Sequence, residues 1–203
     1  VTKIIKHHGS RNEPRKEGRK TAHWLLLERW VNERGWISGA EIGLQRGWTI
    51  CHLLECCPAL SMIGVDQWVQ IPDTGAPGWD SYDHIDLDYW AGVVKERVAR
   101  FGARGQVLHM HSLEAARQVA DASLDFVFLD ADHTDRGCSA DVLAWAPKVK
   151  PTGWITGHDW DRPEVAAVLD RLLPGWTGHG DQVWSIPRAD CPHFSMERPA
   201  IPA

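Results

Sequence analysis

The sequence predicts an α/β fold in which a mostly parallel sheet is covered on both faces by helices. Three observations carry this expectation. Short apolar runs alternate with helix-like stretches along the body of the chain, the pattern of parallel strands joined by crossover helices. The segment Ala40-Glu41-Ile42-Gly43-Leu44-Gln45-Arg46-Gly47-Trp48-Thr49 ends one apolar run in an acidic residue and a Gly-x-x-x-Gly turn that opens a helix, and Gly64-Val65-Asp66 ends the next run in an aspartate. Five successive strand ends close in polar residues, Glu41, Asp66, Ser112, Asp130 and Asp159, and ligands of such sheets sit at the carboxyl ends of the strands.

Taken in order, Thr21 to Gly35 reads as an amphipathic helix, with Trp24, Leu25, Leu27 and Val31 apolar and Gly35 as its stop. Trp36 to Ile42 is the first strand, Trp48 to Cys57 a helix halted by Pro58, and Met62 to Val65 the second strand. Residues 68–90 are rich in Pro, Gly, Asp and aromatics (Trp68, Trp79, Tyr82), too long for an ordinary connection and expected to act as a lid or substrate loop. Tyr89 to Phe101 is helical, Val107 to Met110 a short strand, Ser112 to Ala120 a helix, and Leu124 to Leu129 a buried strand. A helix over Cys138 to Ala146 precedes Pro147, a strand over Gly153 to Gly157 leads to His158-Asp159, Pro163 to Leu173 is a helix begun by proline, and Gln182 to Ile186 is the last strand.

Length and charge bound the possibilities. The 203 residues suit one domain, expected over residues 21–187, between a basic arm at 1–20 and a tail at 188–203. No apolar stretch approaches the roughly 18 residues of a bilayer span, and no signal-peptide pattern opens the chain. The five cysteines lack metal-ligand pairing, so reduced thiols and a cytoplasmic protein are expected. The arm carries seven Lys/Arg and two Glu, whereas the whole chain is −5; the acidic body points away from nucleic acid. Most of the twelve tryptophans belong to the core, and a homo-oligomer is left open.

A strand–glycine loop–helix–strand unit with a carboxylate at the second strand's tip holds an adenosine-type cofactor, the glycines letting backbone approach the ligand and the aspartate accepting from ribose hydroxyls. A nicotinamide dinucleotide would require Gly-x-Gly-x-x-Gly, and Gln45 stands where the second glycine belongs. The pair His158-Asp159 alone hints at a phosphohydrolase, but the further helical histidines that chemistry requires are lacking.

Glu41-x-Gly43-x-x-x-Gly47, Asp66, the His111-Ser112 turn, the block Asp125-Phe-Val-Phe-Leu-Asp-Ala-Asp-His133 and Val149-Lys-Pro-Thr-Gly-Trp-Ile-Thr-Gly-His-Asp159 resemble a class I S-adenosylmethionine-dependent methyltransferase. The likeness spans roughly residues 21–187 and is nearest to small bacterial methyltransferases of the "methyltransferase domain 24" kind, which share their architecture with metal-dependent O-methyltransferases. It implies a Rossmann-like, mostly parallel seven-stranded sheet. It also implies that Gly43 and Gly47 shape the loop beneath the methionine part of the cofactor, with Glu41 orienting its amino group. Asp66 would bind the ribose, Trp68 lie against the adenine, Ser112 and Leu113 border the adenine edge, and Asp130 stand near the transferred methyl. Thr152 departs from the Gly-Gly usual in these families.

The metal-dependent relatives carry acidic ligands at positions matching Asp130, His158 and Asp159, with the same 28-residue step from 130 to 158. Tips of neighbouring strands lie about 4.8 Å apart, close enough to share a cation held at about 2.1 Å from each oxygen. The resemblance thus implies a divalent cation, Mg²⁺ or Mn²⁺, on Asp130, His158 and Asp159, with His133 as general base. His158 departs from the acidic residue of those enzymes and favours manganese, iron or zinc over magnesium. The expected activity is O-methylation of a small-molecule acceptor, with Asp130 and His133 as catalytic residues. The alternatives are metal-independent N-methylation and a non-catalytic cofactor-binding protein. His109, His111 and His179 are expected to be structural.

Overall fold

The structure, a computed structural model, describes residues 22–69, 85–191 and 194. The arm at 1–20, Trp79 and Tyr82 with most of the 68–90 segment, and most of the tail at 188–203 lie outside the described residues.

Thirteen elements follow one another: α1 (His23–Arg34), β1 (Ser38–Ile42), α2 (Trp48–Cys56), β2 (Ser61–Asp66), α3 (Leu87–Ala99), β3 (Gly105–His109), α4 (Ser112–Ala116), β4 (Leu124–Leu129), α5 (Asp135–Trp145), β5 (Val149–Gly157), α6 (Pro163–Leu172), β6 (Thr177–Gly178) and β7 (Trp184–Pro187). Local chemistry marks several boundaries. Gly35 ends α1 in the left-handed region at φ 64°. Thr134 caps α5 by accepting from the Gly137 N–H, and Pro163 sits in the first turn of α6.

The seven strands form one sheet in the order β3-β2-β1-β4-β5-β7-β6. The first five in that row are parallel, and β7 runs antiparallel to both β5 and β6. The seven-stranded, mostly parallel sheet matches the expectation. The two-residue strand β6 was not anticipated, because so short a segment has no periodicity. β5 also starts earlier than the expected Gly153, its extra residues joining β4 across a register shift.

Alternation along the buried strands sorts the core into two layers. Ala40, Ile42, Val127 and Leu129 face one side, packed with Val142, Trp145, Val168 and Leu169 of α5 and α6. Phe126 and Phe128 face the other, with Leu27 and Trp30 of α1, Ile50 and Leu53 of α2 and Val94 of α3. Each fully buried side chain of this size contributes about 1.5–3 kcal/mol. Among the described residues, no helix is long and apolar enough to cross a membrane.

The order of strands reverses between β1 and β4, the crevice where ligands of such sheets bind. Here the ladder runs one residue past the strand ends: the Gly43 N–H donates to Val65 O, Asp130 N–H to Ile42 O and His158 N–H to Leu129 O, at 2.9, 2.8 and 3.0 Å. Backbone order therefore persists up to the residues that form the site.

Candidate functional site

Two cavities open at the carboxyl ends of the strands. The larger, about 460 Å³, is lined by Gly43, Asp66, Trp68, Ser112, Asp130 and Asp141 among others. The smaller, about 280 Å³, is bordered by His23, Trp24, Glu41, Arg46, His158 and Asp159. Gly43, Gln45, Asp130 and His133 line both, so the cavities meet at the tip of β4.

The glycine loop is shaped by packing as much as by any ligand. Gly43 has φ 92°, and a Cβ there would lie 2.0 Å from the carbonyl oxygen of Asp130. Gly47 has φ 67°, and its Cβ would press on Val94 of α3. Both glycines are thus required by the fold itself. Gln45, Trp68 and Asp159, all lining the crevice, also hold positive φ, at 46°, 41° and 58°, a conformation disfavoured for residues with side chains.

Asp66, at the end of β2, ties the loop down. Its Oδ2 accepts from the Leu44 and Gln45 N–H groups, each at 2.8 Å, and its Oδ1 from the Trp68 N–H at 2.7 Å. Burial raises its pKa, and these backbone donors only partly offset the shift. Trp68, 5% exposed, donates its indole N–H to Gln45 O at 2.8 Å. The carboxylate, the loop and the indole form one braced unit along the larger cavity.

At the far end of that cavity, the Ser112 hydroxyl donates to Asp141 Oδ1 and accepts from the Trp145 indole N–H at 2.9 Å. Leu113 lies beside it on the same wall. Burial pushes the Asp141 carboxyl up to about 6, against the pull of Ser112.

Glu41, the last polar residue of β1, is 2% exposed and borders the smaller cavity. Its Oε2 lacks a hydrogen-bond partner among the described residues. Burial, then the nearby charge of Asp130, raises its pKa well above the carboxylate range, against the Ile50 N–H and the Thr49 hydroxyl.

The register Leu129↔Gly157 sets Asp130 beside His158-Asp159, as the chain order implied. His133 Nε2 lies 2.9 Å from Asp159 Oδ2 and 3.6 Å from Asp130 Oδ1, while His158 Nδ1 lies 3.2 and 3.7 Å from the same two oxygens. Burial opposes charge on His133, but the Asp130 and Asp159 carboxylates outweigh it and raise its pKa to about 10. His158 is shifted up by the same contest, and Asp159 is held below the usual carboxylate range despite its burial, through contacts with both imidazoles. In this form His133 is a protonated imidazole set between the two acidic side chains.

The same donors suit a cation. Ligand atoms of Asp130, His133 and Asp159 all lie within 4.8 Å of one another, and His158 Nδ1 reaches both carboxylates. The donor set of two carboxylates and an imidazole fits Mn²⁺ better than Mg²⁺.

All the expected site residues but Gly47 line this crevice, with Glu41, His158 and Asp159 on the smaller side, while Gly47 lines neither cavity. The histidines set aside as structural mostly are so employed: His109 Nδ1 accepts from Lys95 and its Nε2 meets Gln67 O, and His179 Nε2 meets Ser185 Oγ. Three residues at the site went unanticipated. His23 and Trp24 open α1 against the smaller cavity, with His23 Nε2 2.8 Å from Thr49 Oγ1 and its ring centroid 4.7 Å from that of His158; nothing local signals this, since the contact joins two helices far apart in sequence. Asp141 did leave a signal. It falls on the buried stripe of α5 with Cys138, Val142 and Trp145, where an acid is out of place unless a partner demands it.

Residues 40–160 match the model of a family described as "Methyltransferase domain". No protein of curated function matches the chain in sequence. Solved structures of like fold include cofactor-bound Rv0187 from MTB, 15% identical over 87% of this chain and 84% of that one, with a TM-score of 0.59. Another is the O-methyltransferase from Bacillus cereus in complex with SAH, 13% identical over 81% and 80% of the two chains, with a TM-score of 0.56.

Proposed function

The chain belongs to the methyltransferase-domain family and is a class I S-adenosylmethionine-dependent enzyme; on that premise we propose that it methylates a hydroxyl group of a small molecule, with a divalent cation at Asp130, His158 and Asp159. One observation carries the proposal. The tip of β4 joins the two cavities, and two carboxylates and two imidazoles converge there. The likeness of fold to an O-methyltransferase supports the same choice.

S-adenosylmethionine supplies an electrophilic methyl group when bound, so the protein's main task is to align a nucleophile with it. In this proposal the braced loop from Gly43 to Gly47 and Asp66 seat the cofactor along the larger cavity. Glu41 accepts from its ammonium group, and Trp68, Ser112 and Leu113 border its base. The acceptor occupies the smaller cavity, beside His23, Trp24 and Trp48.

A cation at the paired carboxylates supplies Lewis acidity that lowers the pKa of a hydroxyl. Asp130 and Asp159 are the anionic ligands. His158, at the end of β5 with only the smaller cavity before it, is the imidazole ligand. His133 lines both cavities and is placed to take the acceptor's proton. Held protonated beside the two carboxylates it can only donate; it becomes a base when another positive charge neutralises them.

The test is calorimetric titration of S-adenosylhomocysteine with EDTA and again with Mn²⁺, followed by turnover with hydroxylated acceptors. Binding in EDTA, a further Mn²⁺ heat lost in Asp130→Asn, and turnover requiring Mn²⁺ are the expected results. Full turnover in EDTA on an amine would replace this reading with metal-independent N-methylation. Tight binding without turnover on any acceptor would leave a non-catalytic binding protein.

A further inference from the structure

Outside both cavities, α1 and α2 bring three side chains of metal-binding type together. His52 and Cys56 stand four residues apart on α2 and so share one face of it, while Glu28 reaches them from α1. His52 Nε2 lies 2.6 Å from Glu28 Oε2, and its Nδ1 lies 3.9 Å from Cys56 Sγ. One ligand atom from each of the three lies within 4.8 Å of the other two. Leu27 of α1 and Leu53 and Leu54 of α2, neighbours of these residues in the chain, are fully buried. The core therefore fixes the two backbones from which the three side chains project.

The donor chemistry narrows the choice of ligand. Carboxylate, imidazole and thiolate are the side-chain donors of Zn²⁺, and three of them leave a fourth position to water. Tetrahedral bonds of about 2.0 Å to nitrogen and about 2.3 Å to sulfur set those two atoms about 3.6 Å apart. Nδ1 of His52 and Sγ of Cys56 are already near that separation. The charges acting on the thiol are negative: partial burial, then Glu28 and Glu55, raise the Cys56 pKa. Such a thiol keeps its proton until a cation takes its place. His52 and Glu28 are half-buried and Cys56 is exposed, which gives an ion an open path.

We propose that Glu28, His52 and Cys56 form a Zn²⁺ site, separate from the strand-tip cluster of Asp130, His133, His158 and Asp159. The ion takes one ring nitrogen, so it replaces the Glu28–His52 hydrogen bond. Nδ1 of His52, Sγ of Cys56 and a carboxylate oxygen of Glu28 bind it, and the Cys56 proton passes to solvent. The site tethers α1 to α2. Trp24 stands four residues before Glu28 on α1, its ring centroid 6.4 Å from that of His52, and it borders the smaller cavity. The ion thus steadies one wall of that cavity from outside, whatever acceptor the cavity takes.

Co²⁺ is the probe, because a thiolate ligand gives it a near-ultraviolet charge-transfer band that oxygen and nitrogen donors at the strand tips cannot produce. The wild-type chain, kept reduced without added thiols, should develop that band together with the intense visible bands of tetrahedral geometry, and Zn²⁺ should abolish both. Cys56→Ser should lose the thiolate band outright. His52→Gln and Glu28→Gln should weaken the cobalt binding that the band reports by at least about 10–100-fold, the cost of losing even an outer-shell partner. Thermal unfolding in EDTA checks that each variant folds, and the wild-type spectrum is decisive without any variant. Absence of the band in wild type overturns the site, as does a band that survives Cys56→Ser. Cobalt affinity unchanged in both His52→Gln and Glu28→Gln also overturns it, since Cys56 would then be a surface thiol acting alone.

Discussion

Replacing Glu41 by Gln should make the apo protein more stable and its cofactor complex weaker. Glu41 is 2% exposed, and its Oε2 meets no donor among the described residues. Burial first, and then the charge of Asp130, raise its pKa well above that of a free carboxyl. The unfolded chain ionises Glu41 near pH 4.3, while the folded chain keeps its proton to higher pH. Between those two values the native state binds more protons than the unfolded state, so stability falls as pH rises. The loss accrues at about 1.36 kcal/mol per pH unit, giving a ceiling near 3.7 kcal/mol at pH 7. Local relaxation reduces this to roughly 2 kcal/mol, in line with the cost of a buried polar group left unsatisfied.

Glutamine has the same shape and no proton to lose. For a chain of this length about 2 kcal/mol corresponds to a rise of about 4–8 °C in Tm. The assay is thermal unfolding of wild type and Glu41→Gln in EDTA at pH 5, 6, 7 and 8. The stability gap should open from pH 5 upward and then level off. Affinity for S-adenosylhomocysteine should drop about 10–100-fold, because the ligand's ammonium favours the ionised form of Glu41 and glutamine cannot supply that charge. A gap that is absent or independent of pH would refute the assignment of a protonated, strained Glu41.

Asp66→Ala leaves the N–H groups of Leu44, Gln45 and Trp68 without their acceptor, and urea unfolding should show a loss of about 3 kcal/mol, at the lower figure of roughly 1 kcal/mol per orphaned group because a loop can reach water; a smaller loss than about 1 kcal/mol would mean the loop is held by other means. His133→Gln removes an imidazole whose folded pKa is about 10 against about 6.5 unfolded. Its stabilisation is full below pH 6.5 and fades toward pH 10, so the difference in unfolding free energy from wild type in EDTA should be on the order of 3 kcal/mol at pH 6 and narrow steadily above it; a gap that widens with pH contradicts the paired-carboxylate environment. Thr134→Ala deletes the cap on the Gly137 N–H and should lower Tm by about 2–4 °C, from about 1 kcal/mol.

The fold was legible because burial leaves a periodic trace. The Leu124 to Leu129 run reads as a strand covered on both faces, and it is one, with Phe126 and Phe128 in one layer and Val127 and Leu129 in the other. Segments defined by what they pair with rather than by their own periodicity left no such trace. β6 is a strand because it pairs with β7, and His23 reaches the site because α1 packs its first turn over Thr49. Neither fact is encoded within the few residues concerned.

At the site the sequence located groups but not the direction of their lone pairs. Asp66 stands at the strand tip where a ribose contact is expected, yet three of its acceptor positions are filled by the backbone of the loop. A cofactor contact at Asp66 must therefore use the remaining acceptor capacity of a group already committed to structure. This changes how a mutation there is interpreted. Asp66→Ala removes the ligand contact and the loop anchor together, so loss of cofactor binding in that variant does not identify the ribose site. The cleaner test deletes a ribose hydroxyl from the ligand, comparing S-adenosylhomocysteine with its 2′-deoxy analogue, instead of deleting the carboxylate from the protein. Comparing two ligands on the unaltered chain separates recognition from folding, which substitution at a braced carboxylate cannot do.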